Sequence, residues 1–332
     1  MMPQRTASPE SMDTIAVVIP TWQRAELLRS ALGGVASQDR PPSEVLVVGR
    51  DGDAAARRVV DEFATSLPTR WVTVDRPGHV PPVIVGLGAA RTDIVVFLDD
   101  DCVPDATWLG QLVEPFADPA IACVGGGVSW KDYRGPLAFE AGQLTWYGRY
   151  RPLRRTLTPR PVAGVAECNW AWRRHTLEEL TFDPAFEESD AILYGLDLCL
   201  QAIRLGHKVV HVPGAHVADQ AGPRDPSLDR GDQLLRARNF NRNMRYIQRK
   251  HGTAGLRALA RVWELMIGDR SGYGLATALI DLPRVGPRKV ASITRAAHAG
   301  RQAAGRAMPL ATASQRDRGR LSPIALRRGA PR

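Results

Sequence analysis

Between residues 14 and 98, four short β-branched runs alternate with stretches of helical periodicity, and that alternation restricts the fold more than any other feature of the chain. The runs at 14–20 (TIAVVIP), 44–48, 71–74 and 94–98 (IVVFL) are strand-length and apolar on successive residues. Such strands need cover on both faces, which is the signature of a parallel sheet layered between helices. The patterns at 25–37, 54–66 and 83–91 supply those helices. The expectation is an α/β fold with a doubly wound, mostly parallel sheet, whose ligand crevice lies beyond the carboxyl ends of its strands.

After the apolar segment 120–128 the pattern loosens. Residues 129–161 are rich in Trp, Tyr, Arg and Pro and read as an irregular excursion. Order returns at 162–172, at a helical stretch 193–205 and at a strand 208–212. From residue 225 to about 298 the chain reads as helical and basic. The tail 299–332, with its Gly, Pro and Arg, and the polar residues 1–13 are expected to be disordered. The expected organisation is one domain over 14–224, made of a nucleotide-binding half (14–128) and an acceptor half (129–224), followed by a basic helical extension over 225–298.

A length of 332 residues is enough for one such domain with an appendage. The formal charge of +9 suits an anionic partner, with Arg crowded at 149–174, 224–250 and 318–332. Nucleic acid is disfavoured, because no recognition motif appears and the aromatics are not interleaved with basic residues. Four cysteines without a CxxC pair argue against a zinc knuckle or a disulfide framework and fit a reducing compartment. With no apolar signal-type run at the N-terminus and no spanning segment, the expected location is cytoplasmic.

The most informative run is Asp99-Asp100-Asp101, at the end of a buried strand. Three adjacent carboxylates repel one another unless a divalent cation or several hydrogen-bond donors neutralise them. Magnesium or manganese, held by one or two carboxylates and completed by diphosphate oxygens, would suit such a cluster and stabilise a leaving nucleoside diphosphate. A solvated loop capping a helix near Asp105 is the plainer alternative. Cys102, next in line, reads as a packed small residue, because hard cations prefer oxygen.

The run from Gly88 to Leu109, GAARTDIVVFLDDDCVPDATWL, closely resembles the DxD segment of the family 2 inverting glycosyltransferases. The opening VVIPTWQRAELL, Val17 to Leu28, resembles their first strand and helix. The resemblance covers residues 14 to about 250. It implies a GT-A, Rossmann-like fold, a nucleoside-diphosphate sugar donor and a divalent cation. It further implies that Asp99 contacts ribose or sugar within an acidic run that includes Asp100. Asp101 would ligate the metal, and Pro20 and Thr21 would line the nucleotide pocket.

Elsewhere the family pattern is altered. In place of an Asp-Asp-Gly-Ser run after the second strand stands Gly49-Arg50-Asp51-Gly52-Asp53. Asp51 becomes the candidate base-contacting carboxylate, and Asp53 reads as a helix cap. Arg50 would reach a phosphate or only solvent. Glu167-Cys-Asn-Trp-Ala-Trp-Arg-Arg174 resembles the stretch that walls the donor sugar, which would put Asn169 and Trp170 near it and leave Trp172 in the core.

The segment from Tyr194 to Gly206 resembles the region that normally carries a Glu-Asp pair, whose Asp is the catalytic base, but no such pair is present. The base is then Asp197, or its slot is filled by Gly195 and the work falls to Glu187, Glu188 or Asp190; capping a helix is the other role open to Asp197. Asp219 occupies the place of a family histidine that ligates metal, with His216 a minor candidate. Arg224 would clamp the diphosphate, or lie on the surface.

The basic helix that begins near Arg236 would pack over the donor site, rest on anionic lipid or simply be solvated. Trp263, Leu265, Met266 and Ile267 read as the buried side of the next helix. Together these readings describe an inverting, metal-dependent transferase of a hexose or deoxyhexose, acting in polysaccharide, glycolipid or glycoconjugate biosynthesis. Its acceptor hydroxyl would belong to a glycan, a lipid-linked molecule or a small molecule, and peripheral membrane contact is left open. The competing reading is a degenerate family member that binds a nucleotide sugar or glycan without turnover.

Overall fold

The computed structural model describes residues 13–130, 142–152, 158–221 and 232–307, with the side chains of residues 188 and 189 excluded. The expected disorder of 1–13 and 299–332 therefore falls largely outside the described residues. The first half follows the alternation read from the sequence. Strands β1 (Ile15–Pro20), β2 (Glu44–Gly49), β3 (Thr69–Thr73) and β4 (Ile94–Leu98) are separated by helices α1 (Ala25–Ala36), α2 (Ala54–Phe63) and α3 (Val80–Ala89). Helix α3 begins three residues ahead of the expected start, because Pro81 and Pro82 sit in its first turn, where a missing N–H costs nothing.

Next come β5 (Cys102–Pro104), α4 (Trp108–Val113) and β6 (Ile121–Trp130). The excursion holds the short strands β7 (Gln143–Leu144), β8 (Tyr150–Arg151) and β9 (Arg160–Pro161). They lead to β10 (Asn169–Arg173), α5 (Arg174–Glu179), α6 (Tyr194–Arg204) and β11 (Lys208–Asp219).

The nine-stranded sheet runs β3-β2-β1-β4-β10-β6-β11-β5, with β9 on β11. The ladders β3-β2, β2-β1, β1-β4 and β6-β11 are parallel, whereas β10 lies antiparallel to both β4 and β6. Period-2 alternation divides the strands between two cores. Val17, Ile19, Val45 and Val47 pack with Leu28, Leu32 and Val59 on one face. On the other, Val18, Leu46, Val48 and Phe97 pack with Val83, Leu87, Trp170 and Trp172. Both faces are thus buried, as continuous apolar strands require.

Strand β11 outruns its expected end at Val212. A register shift between Val212 and His216 against β6 lets it continue to Asp219, which pairs with Cys102 on β5. The bulge at Pro213-Gly214 re-aims the strand and delivers Asp219 beside the acidic triplet.

Buried Asn169 pins β10 in place. Its amide donates to the carbonyls of Gly127 and Ala215, both at 2.9 Å, and its carbonyl accepts from the Trp108 indole at 2.8 Å. Gly126 is glycine for the same reason: a Cβ there would lie 2.3 Å from the Asn169 amide nitrogen and 2.1 Å from the Ala215 carbonyl.

The C-terminal part comprises α7 (Gln233–His251), α8 (Ala254–Met266), the small ladder β12 (Gly268–Asp269) with β13 (Gly272–Tyr273), α9 (Leu275–Val285) and α10 (Pro287–Arg306). Helix α10 carries order past residue 298 and lies against α7, where Gly300 meets the Arg238 carbonyl with no room for a side chain. Leu265, Met266 and Ile267 depart from the expected buried side: they are 72, 53 and 50% exposed. Trp263 alone of that group packs inward, stacked on Tyr147.

Replacing Asn169 with Ala strands an indole N–H and two carbonyls inside the sheet. At roughly 1–3 kcal/mol for each unsatisfied group, the variant is expected to lose about 3 kcal/mol or more of unfolding free energy, read by urea denaturation.

Candidate active site

A cleft of about 2340 Å³ opens at the carboxyl ends of β1, β2 and β4, where a doubly wound sheet places its ligand. Pro20, Thr21, Asp99, Asp100, Asp101 and Asp219 all line it. The acidic triplet follows β4, whose IVVFL sequence is fully buried and leaves no freedom in where the carboxylates emerge. Their backbone is held twice. The Asp99 N–H donates to the Cys168 carbonyl at 3.2 Å, and the Gln220 N–H donates to the Asp101 carbonyl at 2.8 Å. The second bond, with the Cys102–Asp219 register, brings the ends of β5 and β11 together.

The three carboxylates have different environments. Asp100 points inward and accepts from the Thr21 hydroxyl at 2.8 Å and from the Arg24 guanidinium at 2.9 Å. Burial pushes its carboxyl up to about 6, against the pull of Arg24 and Thr21 and with a small push from Asp101. Asp99 is exposed to the cleft, and Asp101 is half-buried, with Arg24 3.3 Å away. Arg24 and Thr21 are therefore the donors that make the triplet tolerable, and Arg24 had no assigned role in the sequence reading. Their loop is set by Asp53, which caps α2 at Ala56 and accepts from the N–H of Gln23, a residue held at φ 56°.

Asp101 and Asp219 offer hard oxygen atoms at adjoining strand ends on one wall, a donor set that fits magnesium or manganese with substrate oxygens completing the shell. No cluster of three or more His, Cys, Asp or Glu with metal-binding geometry occurs among the described residues.

Several expected site residues lie elsewhere. Asp51 is exposed on the turn before α2 and does not line the cleft, whereas Arg50 does, stacked 3.5 Å from the Trp22 ring centre. Asn169 and Trp170 are wholly buried and serve the sheet rather than a sugar. His216 pairs with Asp105 at 3.0 Å, outside the cleft wall. Arg224 and the Glu188 side chain lie outside the described residues. Cys102 is packed in the core, as its size suggested, and so is Trp172.

Asp197 is the main correction. It is 1% exposed and absent from the cleft, enclosed by Lys250 at 2.8 Å, His251 at 2.7 Å and Gln201 at 2.8 Å. Burial opposes its charge, but the hydrogen bond and charge of His251 and the Lys250 ammonium outweigh it and hold the carboxyl below its ordinary value. Lys250 also bonds Asp183 at 2.8 Å, and Tyr246 joins the same carboxylate at 2.9 Å. This network ties α6 to α7. It leaves Asp197 no access to an acceptor, and from sequence alone the positions 183, 197 and 250 gave no hint of meeting.

Three further carboxylates line the cleft: Glu167, Asp190 and Asp269. Glu167 accepts from the Gly195 N–H at 2.9 Å, and Asp190 accepts from the Asn239 amide at 3.0 Å. The opposite wall comes from the C-terminal helices. Buried Arg149 holds it there through Asp269, Ser271 and Asn241.

Sheet, cleft and acidic triplet together define a nucleotide-sugar-binding fold of the GT-A type. The family model described as "Glycosyltransferase like family 2" matches residues 12–241, and the chain belongs to that family. Among curated relatives, it is 28% identical over 130 residues to the glycosyltransferase AglE of Haloferax volcanii, covering 38% of this chain and 43% of that protein. It is also 28% identical over 233 residues to the pre-mycofactocin glycosyltransferase of Mycobacterium tuberculosis, covering 58% of this chain and 47% of the relative. The aligned part thus spans less than half the length of these relatives. Among solved structures, the mannosyltransferase PcManGT of Pyrobaculum calidifontis, in complex with GDP-Man and Mn2+, superposes with a TM-score of 0.57 at 19% identity. That superposition covers 93% of this chain and 80% of the other.

Replacing Asp197 with Asn leaves the Lys250 ammonium buried with one carboxylate fewer. A loss of about 3–5 kcal/mol in unfolding free energy is expected. The wild-type contribution of Asp197 is present above the ordinary carboxylate pKa and disappears as pH falls through its lowered one, so stability curves of the two proteins should converge in acid.

Proposed function

We propose that the chain transfers a hexose or deoxyhexose from a nucleoside-diphosphate sugar to a hydroxyl acceptor, with inversion at the anomeric carbon, in polysaccharide, glycolipid or glycoconjugate biosynthesis. The observation that carries this reading is the convergence of Thr21, the Asp99–Asp101 triplet and Asp219 on one cleft at the strand ends. Asp101 and Asp219 would hold magnesium or manganese, which supplies neutralising charge to a departing diphosphate. Asp99 faces the cleft and would contact ribose or sugar hydroxyls. Asp100 orients Thr21 and Arg24 rather than meeting the ligand. The size of the cleft leaves room for a donor and an acceptor together.

A peripheral position on the cytoplasmic face of a membrane, with a lipid-linked acceptor, extends this reading. Val262, Leu265 and Met266 on α8, with Leu275, Leu279 and Ile280 on α9, form an apolar face more than half exposed. Val262, Met266 and Ile267 carry it to the mouth of the cleft. Arg261, Arg270 and Arg284 are exposed on the same helices or their connection, and Arg288 and Lys289 are exposed at the start of α10, as an anionic headgroup layer would require. No described helix is long and apolar enough to cross a membrane.

The sequestration of Asp197 favours a second reading, a nucleotide-sugar binder without turnover. One assay separates the two. Purified protein with manganese and a panel of UDP-, GDP- and dTDP-sugars should release nucleoside diphosphate from one donor, and Asp101→Ala should lower that rate about 100-fold or more. Binding without release supports the second reading, and neither binding nor release overturns both.

For the membrane contact, the protein should co-sediment with phosphatidylglycerol vesicles far more than with phosphatidylcholine vesicles. A Leu265→Asp, Leu279→Asp variant should remain in the supernatant, and equal partition of the two proteins would refute the contact.

A further inference from the structure

Resting on the transfer reading, we propose that Glu167 is the general base that takes the proton from the acceptor hydroxyl. The cleft-lining carboxylates divide by what holds them. The triplet and Asp219 occupy the diphosphate corner, and Asp269 is ion-paired with Arg149. Glu167 and Asp190 remain, the first accepting from the Gly195 N–H and the second from the Asn239 amide. An N–H donated to a carboxylate favours its charged form, which is the form that takes up a proton.

Position separates these two. Glu167 immediately precedes Cys168, whose carbonyl is bonded to the Asp99 N–H, so the backbone that carries it is fastened to the triplet. Asp190 sits in a left-handed turn tied to α7 through Asn239.

The other side of Glu167 is fixed by α6. Its Oε1 accepts from the N–H of Gly195 in the first turn, where helix partial charge also favours an anion. A Cβ on Gly195 would lie 2.5 Å from Glu167 Cγ and 2.7 Å from Oε1. The carboxyl group therefore fills the space into which a side chain at 195 would project. Position 195 is where the sequence reading found a carboxylate missing; the fold supplies one there from a different strand connection. Gly195 is glycine because Glu167 occupies its space.

In the step assigned to Glu167, the acceptor oxygen bonds to the anomeric carbon as the bond from that carbon to the diphosphate oxygen breaks. The electron pair of that bond leaves on the nucleoside diphosphate. The hydroxyl proton passes to the Glu167 carboxylate and then to solvent.

The test compares Glu167→Gln, Asp190→Asn, Glu167→Gly and the double variant Glu167→Gly, Gly195→Asp with the wild type. All are assayed with manganese and the donor panel, using water and simple sugars as acceptors, and donor affinity is measured by calorimetry on the same samples. Gln keeps a carbonyl oxygen for the Gly195 N–H, so Glu167→Gln should fold, bind donor as the wild type does and lose about 10²–10⁴-fold in kcat. Asp190→Asn should lose much less. Glu167→Gly should be as slow as Glu167→Gln, and adding Gly195→Asp, now free of the clash, should recover at least about tenfold. A purely structural role predicts changes in melting temperature or donor affinity instead of this kcat pattern.

A Glu167→Gln kcat within about threefold of wild type, or a large loss confined to Asp190→Asn, overturns the assignment. Those results leave wild-type turnover intact, whereas a wild type that turns over no donor defeats the transfer reading itself and Glu167 with it.

Discussion

Strand β10 runs against both of its neighbours, and the Asn169 amide is what allows it to. A parallel sheet reaching from β3 to β4 could have continued with another crossover helix. Here the next strand in space enters from the opposite direction, and its first residue bonds the carbonyls of Gly127 and Ala215 and the Trp108 indole. The reversal brings the segment 162–168 to the carboxyl ends of the parallel strands instead of their amino ends. Cys168 can then accept from Asp99, and Glu167 can face the cleft. The same amide fixes β11 beside β6, and so bears on where Asp219 emerges. One buried polar side chain with its hydrogen-bonding capacity well used thus connects the sheet to the site, which is the condition under which such a group is tolerated in a core.

Electrostatics is distributed in two compartments that do not mix. At the cleft, the repulsion among Asp99, Asp100 and Asp101 is relieved unequally: Thr21 and Arg24 take up Asp100, Arg24 also reaches Asp101, and Asp99 is exposed to the cleft. Behind the cleft, Asp183, Asp197, Lys250 and His251 pair with one another away from solvent and hold α6 against α7. A charge so enclosed cannot turn toward a substrate without leaving its partners buried and unpaired. This division explains why two candidate aspartates of the sequence, Asp101 and Asp197, end in different surroundings, one at the cleft and one behind it.

The first half of the chain was legible from its residues because its signals are local. Apolar run length, β-branching and strand–helix alternation determine β1 to β4, and the DDD run announces a strand-end cluster wherever β4 stops. Glu44–Gly49 and Ile94–Leu98 appear at or within a residue of their expected bounds. Asp53 likewise caps α2, since capping depends on the next few residues only. Leu265 and its neighbours misled because an apolar helical stripe reads the same whether it meets a core or another medium.

The sequence by itself determined the class of sheet, the chemistry of its strand-end carboxylates and the family to which the chain belongs. Only the tertiary structure decided which carboxylates reach the cleft. Asn169, Trp170 and Asp197 sit in motifs that suggested contact with substrate, yet packing turns each of them inward. Glu167 and Gly195 are 28 residues apart and share one space. Residue type and spacing along a chain report which groups exist and which local structure they favour. Which carboxylate reaches the cleft and which is enclosed behind it depends on long-range packing, and no local pattern encodes it.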